Sequence, residues 1–167
     1  IPIAPSTLCF NMLNSLTYKT FESGGISTIH VDIMDGFYVD RVAGGIAELK
    51  TIRANTNAHL HVHLMTENPS VWAANAIKAG ANTIIIPLNL SGVRATLRGI
   101  RATGRRAGVA INPDIPVSAL VPILRDIDEI LVMAVTPGAA GQKFDSSVLE
   151  KISALSVTRK KHNLKYV

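Results

Sequence analysis

His30-Val31-Asp32-Ile33-Met34-Asp35-Gly36 alternates polar and apolar side chains up to a glycine. In an extended strand His30, Asp32 and Met34 face one side and Val31 and Ile33 the other, because the side-chain period of a strand is two. A histidine and a carboxylate on an interior face are costly to bury unless they are paired or perform chemistry. Taken alone, the stretch fits a hydrogen-bonded His-Asp pair that fixes a strand end equally well. His59-Leu60-His61-Val62-His63-Leu64-Met65 repeats the alternation with three histidines and Met65 on one face. On neighbouring strands His63 would stand beside His30 and Asp32, and two imidazoles with one carboxylate suit Zn, Mn, Fe or Co. A fourth ligand is not visible. His59 and His61, nearer the strand's start, read as packing groups or as partners behind the ligands.

Outward from these two stretches, short β-branched runs alternate with amphipathic segments. Strands are expected at Pro2 to Ala4, Thr28 to Ile33, His59 to Leu64, Thr83 to Leu88, Ala107 to Ile111, Ile130 to Val135 and Lys165 to Val167. Their starts recur every 23 to 35 residues, the size of a βα unit. Asn68-Pro69 reads as a helix N-cap followed by Pro in the first turn, and Gly24-Gly25, Gly80 and Gly104 sit where helix C-caps belong. Val71, Ala74 and Ile77 are expected to form the apolar face of one helix, and Val93, Leu97 and Ile100 that of the next.

Strands alternating with helices imply a parallel sheet under helical cover. A doubly wound dinucleotide fold is disfavoured, since the first strand runs into Pro5-Ser6-Thr7 and no Gly-x-Gly-x-x-Gly follows. Polar residues cluster instead at the C-terminal ends of several strands, where a β/α barrel keeps its active site. The expected fold is an α/β (β/α)8 TIM barrel. The 167 residues accommodate about six βα units and the start of strand 7. The expectation is a single barrel domain over residues 1–167, incomplete at its C-terminal side and belonging to a longer parent or completed otherwise.

Composition excludes several classes. With 47% hydrophobic residues, 17% charged residues and one cysteine, the chain is neither disordered nor a disulfide scaffold. No apolar run approaches the ~18 residues that span a bilayer. Ile1-Pro2-Ile3-Ala4-Pro5 lacks the pattern of a signal peptide, so a cytoplasmic location is expected. The net charge of +5 invites nucleic acid as a partner, but Arg101/Arg105/Arg106 and Arg159/Lys160/Lys161 read as solvated cations near helix ends, and no aromatic interleaving accompanies them. Val132 to Phe144 is a strand entering a loop with Gly138 and Gly141, whose backbone N–H groups could approach a phosphate; such loops also serve only as tight bends.

Together these pieces resemble the ribulose-phosphate 3-epimerase family. The resemblance rests on Ala4-Pro5-Ser6, the His30 to Gly36 stretch, Val62-His63-Leu64-Met65 with Glu67-Asn68-Pro69, Gly108 to Pro113, and Val132-Met133 through Pro137-Gly138 and Gly141-Gln142-Lys143-Phe144. They occur in the family's order and cover essentially the whole chain. The resemblance implies a sugar-phosphate isomerase of the pentose phosphate pathway. It would interconvert D-ribulose 5-phosphate and D-xylulose 5-phosphate through an enediolate, with one divalent metal as cofactor and a small-molecule sugar phosphate as partner.

Residue by residue, the resemblance matches His30, Asp32 and His63 to metal ligands and Asp32 also to an acid/base. Ser6 matches a substrate-contacting serine, Met34, Met65 and Met133 match methionines around the reacting carbons, and Gly138 and Gly141 fall in the phosphate-side loop. A metal there acts as a Lewis acid on the developing charge, and thioethers exclude water, although any one Met also reads as core packing. A homo-oligomer without nucleic-acid or membrane partners is the family expectation.

The chain also departs from the pattern. Tyr166-Val167 is where the family's Val-Asp-Gly-Gly motif, bearing the second aspartate, would be about to begin. Pro87 replaces a usual His, Asn89 a common Glu and His61 a usual Asp. Phe37-Tyr38-Val39-Asp40-Arg41 and Ala139-Ala140 differ in the substrate pocket. A sibling epimerase acting on D-allulose 6-phosphate and a non-catalytic sugar-phosphate-binding paralogue therefore stand as alternatives.

Overall fold

The two histidine-bearing stretches become adjacent parallel strands. In the computed structural model, which describes residues 3–10 and 15–167, β1 (Thr28–Asp35) pairs along its length with β3 (His59–Met65), with Asp32 opposite His63 and Met34 opposite Met65. Beyond β3 the sheet continues in parallel through β4 (Thr83–Pro87), β5 (Arg106–Ile111) and β6 (Glu129–Val132). A two-residue strand β2 (Val42–Ala43) pairs antiparallel with the end of β1, giving the order β2-β1-β3-β4-β5-β6.

The five described α-helices are α1 (Ser15–Ser23), α2 (Ile46–Asn55), α3 (Pro69–Lys78), α4 (Val93–Ala102) and α5 (Val148–Lys161). The parallel order and the alternation of strand with helix are those of a β/α barrel, as the sequence implies. Among the described residues no helix is long and apolar enough to cross a membrane.

Strand alternation divides the molecule into two environments. Val31, Ile33, Val62, Leu64, Ile84, Ile86, Val109 and Ile111 point outward and pack with helix residues such as Leu49, Ile52, Ala76, Leu97 and Ile100 in one apolar core. Full burial of each such aliphatic side chain is worth about 1.5–3 kcal/mol. The opposite face carries His30, Asp32, His61, His63 and Glu129. His61 on β3 hydrogen-bonds Glu129 on β6 although β4 and β5 lie between them in the sheet. Such a contact requires the sheet to curl around its polar face.

Gly108 makes room for this crossing, since a Cβ there would lie 2.9 Å from Ile85 Cγ1 and 3.2 Å from the Glu129 carbonyl oxygen. Gly44 has a harder constraint. Its φ is +66°, and a Cβ would stand 2.2 Å from the Asp32 carbonyl oxygen, so only glycine lets the chain after β2 pass this close to β1.

Several expectations shift. Of the first strand, Pro2 lies outside the described residues and Ile3 and Ala4 are not in a strand; the edge of β1 is met instead by a single parallel bridge from Ser6 to His30. Strand β6 ends at Val132, and the chain then turns into the loop rather than running on to Val135. Lys165 to Val167 forms no assigned strand, yet Val167 exchanges backbone hydrogen bonds with Asp128 and Ile130 along the edge of β6.

On α4 the expected face of Val93, Leu97 and Ile100 is buried. On α3 the expected face holds only at Ile77, which packs half-buried against the core. Val71 is 60% exposed and Ala74 is also exposed, while Pro69, Ala73 and Ala76 are buried, because small side chains let this helix lie close to the sheet.

Candidate active site

Parallel pairing of β1 with β3 positions the polar group. Because Asp32 lies opposite His63 and the side chains alternate, His30, Asp32 and His63 project to the same face near the strands' C-terminal ends. One ligand atom from each lies within 4.8 Å of the others. His30 Nε2 is 3.1 Å and His63 Nδ1 3.3 Å from the same oxygen, Asp32 Oδ1. Ser6 Oγ donates to the other carboxylate oxygen at 2.7 Å, and also accepts from the Leu8 N–H at the start of a short 3-10 helix.

Electrostatics favour the ligand forms of these groups. Burial pushes the Asp32 carboxyl upward, but hydrogen bonds from His30, His63 and Ser6, with the charge of the His30 ring, outweigh it and hold the group well below the usual carboxylate range. The His63 ring is depressed by burial, which the Asp32 carboxylate only partly offsets. An ionised carboxylate beside an imidazole that resists protonation is a donor set fit for a divalent cation. His30, Asp32 and His63 can hold one.

The triad opens into a cavity of about 290 Å³. Ser6, Met34, Met65, Met133 and Gly138 also line it, so these expected residues come together with the triad. Gly141 does not line it. Gln142 explains the shape of the loop, since its side-chain amide donates to the Thr136 and Ala139 carbonyls at 2.7 and 2.8 Å. Leu8 and Cys9 line the cavity too, and nothing in the sequence singled them out.

The segment after β1 bridges the cavity mouth. Asp35 accepts from the Phe37 and Tyr38 N–H groups with one oxygen and from the Glu67 N–H with the other, tying the loops after β1 and β3 together. The Tyr38 hydroxyl donates to Asn89 at 3.0 Å and accepts from the Asn112 amide at 3.4 Å, while Arg41 donates to the Gly138 carbonyl at 3.4 Å. Pro87, where the family pattern has His, ends β4 and is buried without lining the cavity.

Below the triad, toward the strands' N-terminal ends, lies a second polar group. His61 Nδ1 is 2.7 Å from His30 Nδ1, and its Nε2 is hydrogen-bonded to Glu129 Oε1. Of the three ligand candidates, His61 thus stands behind His30. Arg106 opens β5 instead of ending a helix, and its exposed side chain reaches 3.5 Å from Glu129 Oε2. His59 Nε2 is 2.7 Å from the Thr83 hydroxyl. Glu129 was missed in the sequence, although alternation with Leu131 and Met133 would have placed it on the inner face.

The sequence model of the ribulose-phosphate 3 epimerase family matches residues 2–166. A ribulose-phosphate 3-epimerase of Bacillus subtilis is 37% identical over 155 residues, covering 91% of this chain and 71% of that protein. One from Aquifex aeolicus is 36% identical, covering 84% of this chain and 64% of its own length, and a cytoplasmic isoform from Oryza sativa is 35% identical, covering 96% and 72%. Among solved structures, a mutant tryptophan synthase alpha-subunit from Pyrococcus furiosus superposes with a TM-score of 0.56 at 12% identity, over 92% of this chain and 72% of that one, which is a likeness of fold alone. With the family's sequence model matching residues 2–166 and relatives above 30% identity, the chain belongs to the ribulose-phosphate 3 epimerase family.

Proposed function

We propose that the protein inverts C3 of D-ribulose 5-phosphate to give D-xylulose 5-phosphate, removing the C3 proton and returning one from the opposite side. The observation that carries this reading is Asp32, a carboxylate held ionised at the cavity floor between two imidazoles, in a chain of this family. An ionised carboxylate is the form that accepts a proton, and Ser6 fixes its orientation through Oδ2.

His30, Asp32 and His63 are the residues that would hold a divalent metal, with Zn, Mn, Fe and Co the ions suited to two nitrogens and one oxygen. Such an ion supplies Lewis acidity for the negative charge that develops beside the ketone. Met34 and Met65, each 2% exposed, give the floor an apolar rim that keeps water from the reacting carbons. The loop at Gly138 receives the phosphate end of the sugar through backbone N–H groups. Inversion also needs an acid on the opposite side of the sugar, and among the described residues no second carboxylate lines the cavity.

The test is conversion of D-ribulose 5-phosphate by the protein with added Mn²⁺ or Zn²⁺, run in parallel with D-allulose 6-phosphate. Conversion of the pentulose phosphate that chelation abolishes is the expected result. Conversion of the hexulose phosphate alone, or of neither sugar, would overturn the reading.

A further inference from the structure

Hydrogen bonding has a direction, and along the inner face it can be followed from Glu129 to the candidate metal site. The Glu129 carboxyl sits 3.5 Å from the Arg106 guanidinium and is 19% exposed at its side chain. As a carboxylate it only accepts, so the hydrogen in its bond with His61 belongs to His61 Nε2. A neutral His61 then presents a lone pair at Nδ1. The atom facing that lone pair, at 2.7 Å, is His30 Nδ1, which must carry the hydrogen. The hydrogen that His30 Nε2 donates to Asp32 is then the one a cation would displace, and a His30 held protonated at Nδ1 offers its lone pair at Nε2, the atom beside Asp32.

We propose that His61 and Glu129 are positioning residues: crossing the interior from β3 to β6, they fix the tautomer of His30 so that Nε2 offers a lone pair to a divalent cation. This rests on the reading of His30, Asp32 and His63 as its ligands. The two residues act as one device. His61 alone can place its hydrogen on either nitrogen, and Glu129 removes that freedom. Glu129 alone does not contact His30. Gly108 is part of the same arrangement, because the open space at its Cβ position lies between Ile85 and Glu129.

The test uses Co²⁺ titrations followed by ligand-field absorption, with histidine ring ¹⁵N spectra of the Zn²⁺-loaded protein. In the wild type His61 is expected as the Nε2–H tautomer. Glu129→Leu should weaken Co²⁺ binding about 10- to 100-fold, the range typical of lost partners behind metal ligands. Glu129→Gln should stay within about threefold of wild type, because the amide oxygen still accepts from His61. Asn Oδ1 occupies nearly the place of His Nδ1, so His61→Asn can accept from His30 unaided. In that background Glu129→Leu should cost no further affinity.

Wild-type protein that binds no Co²⁺ would overturn the metal reading itself. Wild-type binding with unchanged affinity in Glu129→Leu, or a His61 ring carrying its hydrogen on Nδ1, would overturn the positioning role alone. The ring spectrum of the wild type decides the matter even if Glu129→Leu fails to fold.

Discussion

At the scale of single residues, Asp32 combines a cost with a use. Its carboxylate is nearly buried, and three hydrogen-bonding neighbours offset the loss of water. Asp32→Asn keeps the shape and removes the base, so turnover should fall by about 10²- to 10⁴-fold while the melting temperature changes little; steady-state kinetics beside a thermal melt checks both. Asp126 illustrates a carboxylate with a structural use. The Arg98 and Arg94 guanidinium groups donate to its two oxygens at 3.0 and 2.6 Å and hold its carboxyl below the usual value. A depressed carboxyl contributes stability that is present above its ordinary value of 3.8 and is lost as the pH falls through the lower folded one. Because both arginines are largely solvated, the contribution is about 1 kcal/mol at most. Asp126→Asn should therefore melt roughly 2–4 °C below wild type at neutral pH. The gap should narrow as the pH falls below 3.8, and a gap that persisted undiminished in strong acid would show that the residue acts by packing instead.

At the scale of elements, the strands were legible and the helix faces only partly so. A period of two survives any curvature of the sheet, so the alternation in β1 and β3 gave their inner faces, their adjacency and the triad. The face of α4 was equally plain because its buried positions are a Val, a Leu and an Ile. On α3 hydrophobicity misled, since Ala73 and Ala76 are buried for their small size while Val71 remains in solvent. Leu97 is fully buried between sheet and helices, and Leu97→Ala should destabilise the fold by about 2–5 kcal/mol in a denaturant titration. Gly44→Ala tests a different coupling. The added methyl meets the Asp32 carbonyl and the backbone conformation is strained as well, so the turn after β2 must move away from β1. Loss of about 1–3 kcal/mol of stability is expected, together with weaker Co²⁺ binding, whereas an unperturbed site would show that β2 yields without moving Asp32.

At the scale of the whole molecule, the parts of the site that the sequence left hidden are those created by curvature. His61 and Glu129 are 68 residues apart and separated by two strands, and no local pattern announces that they touch. The same holds for the Tyr38 bridge to Asn89 and Asn112, which joins loops from three strands. The triad was visible because its members lie on neighbouring strands in register. That placement also predicts how a bound cation affects stability. His30 and Asp32 belong to β1 and His63 to β3, so an ion held by all three joins two central strands and binds only when they are folded together. At a hundredfold excess of free Zn²⁺ over its dissociation constant, the folded state gains about 2.7 kcal/mol by mass action. For a chain of this size that is a rise in melting temperature of roughly 5–10 °C, reversed by chelation. His63→Ala should abolish the rise. Ser6→Ala, which touches Asp32 without belonging to the triad, should retain most of it. A rise that survived His63→Ala would place the stabilising ion elsewhere on the molecule.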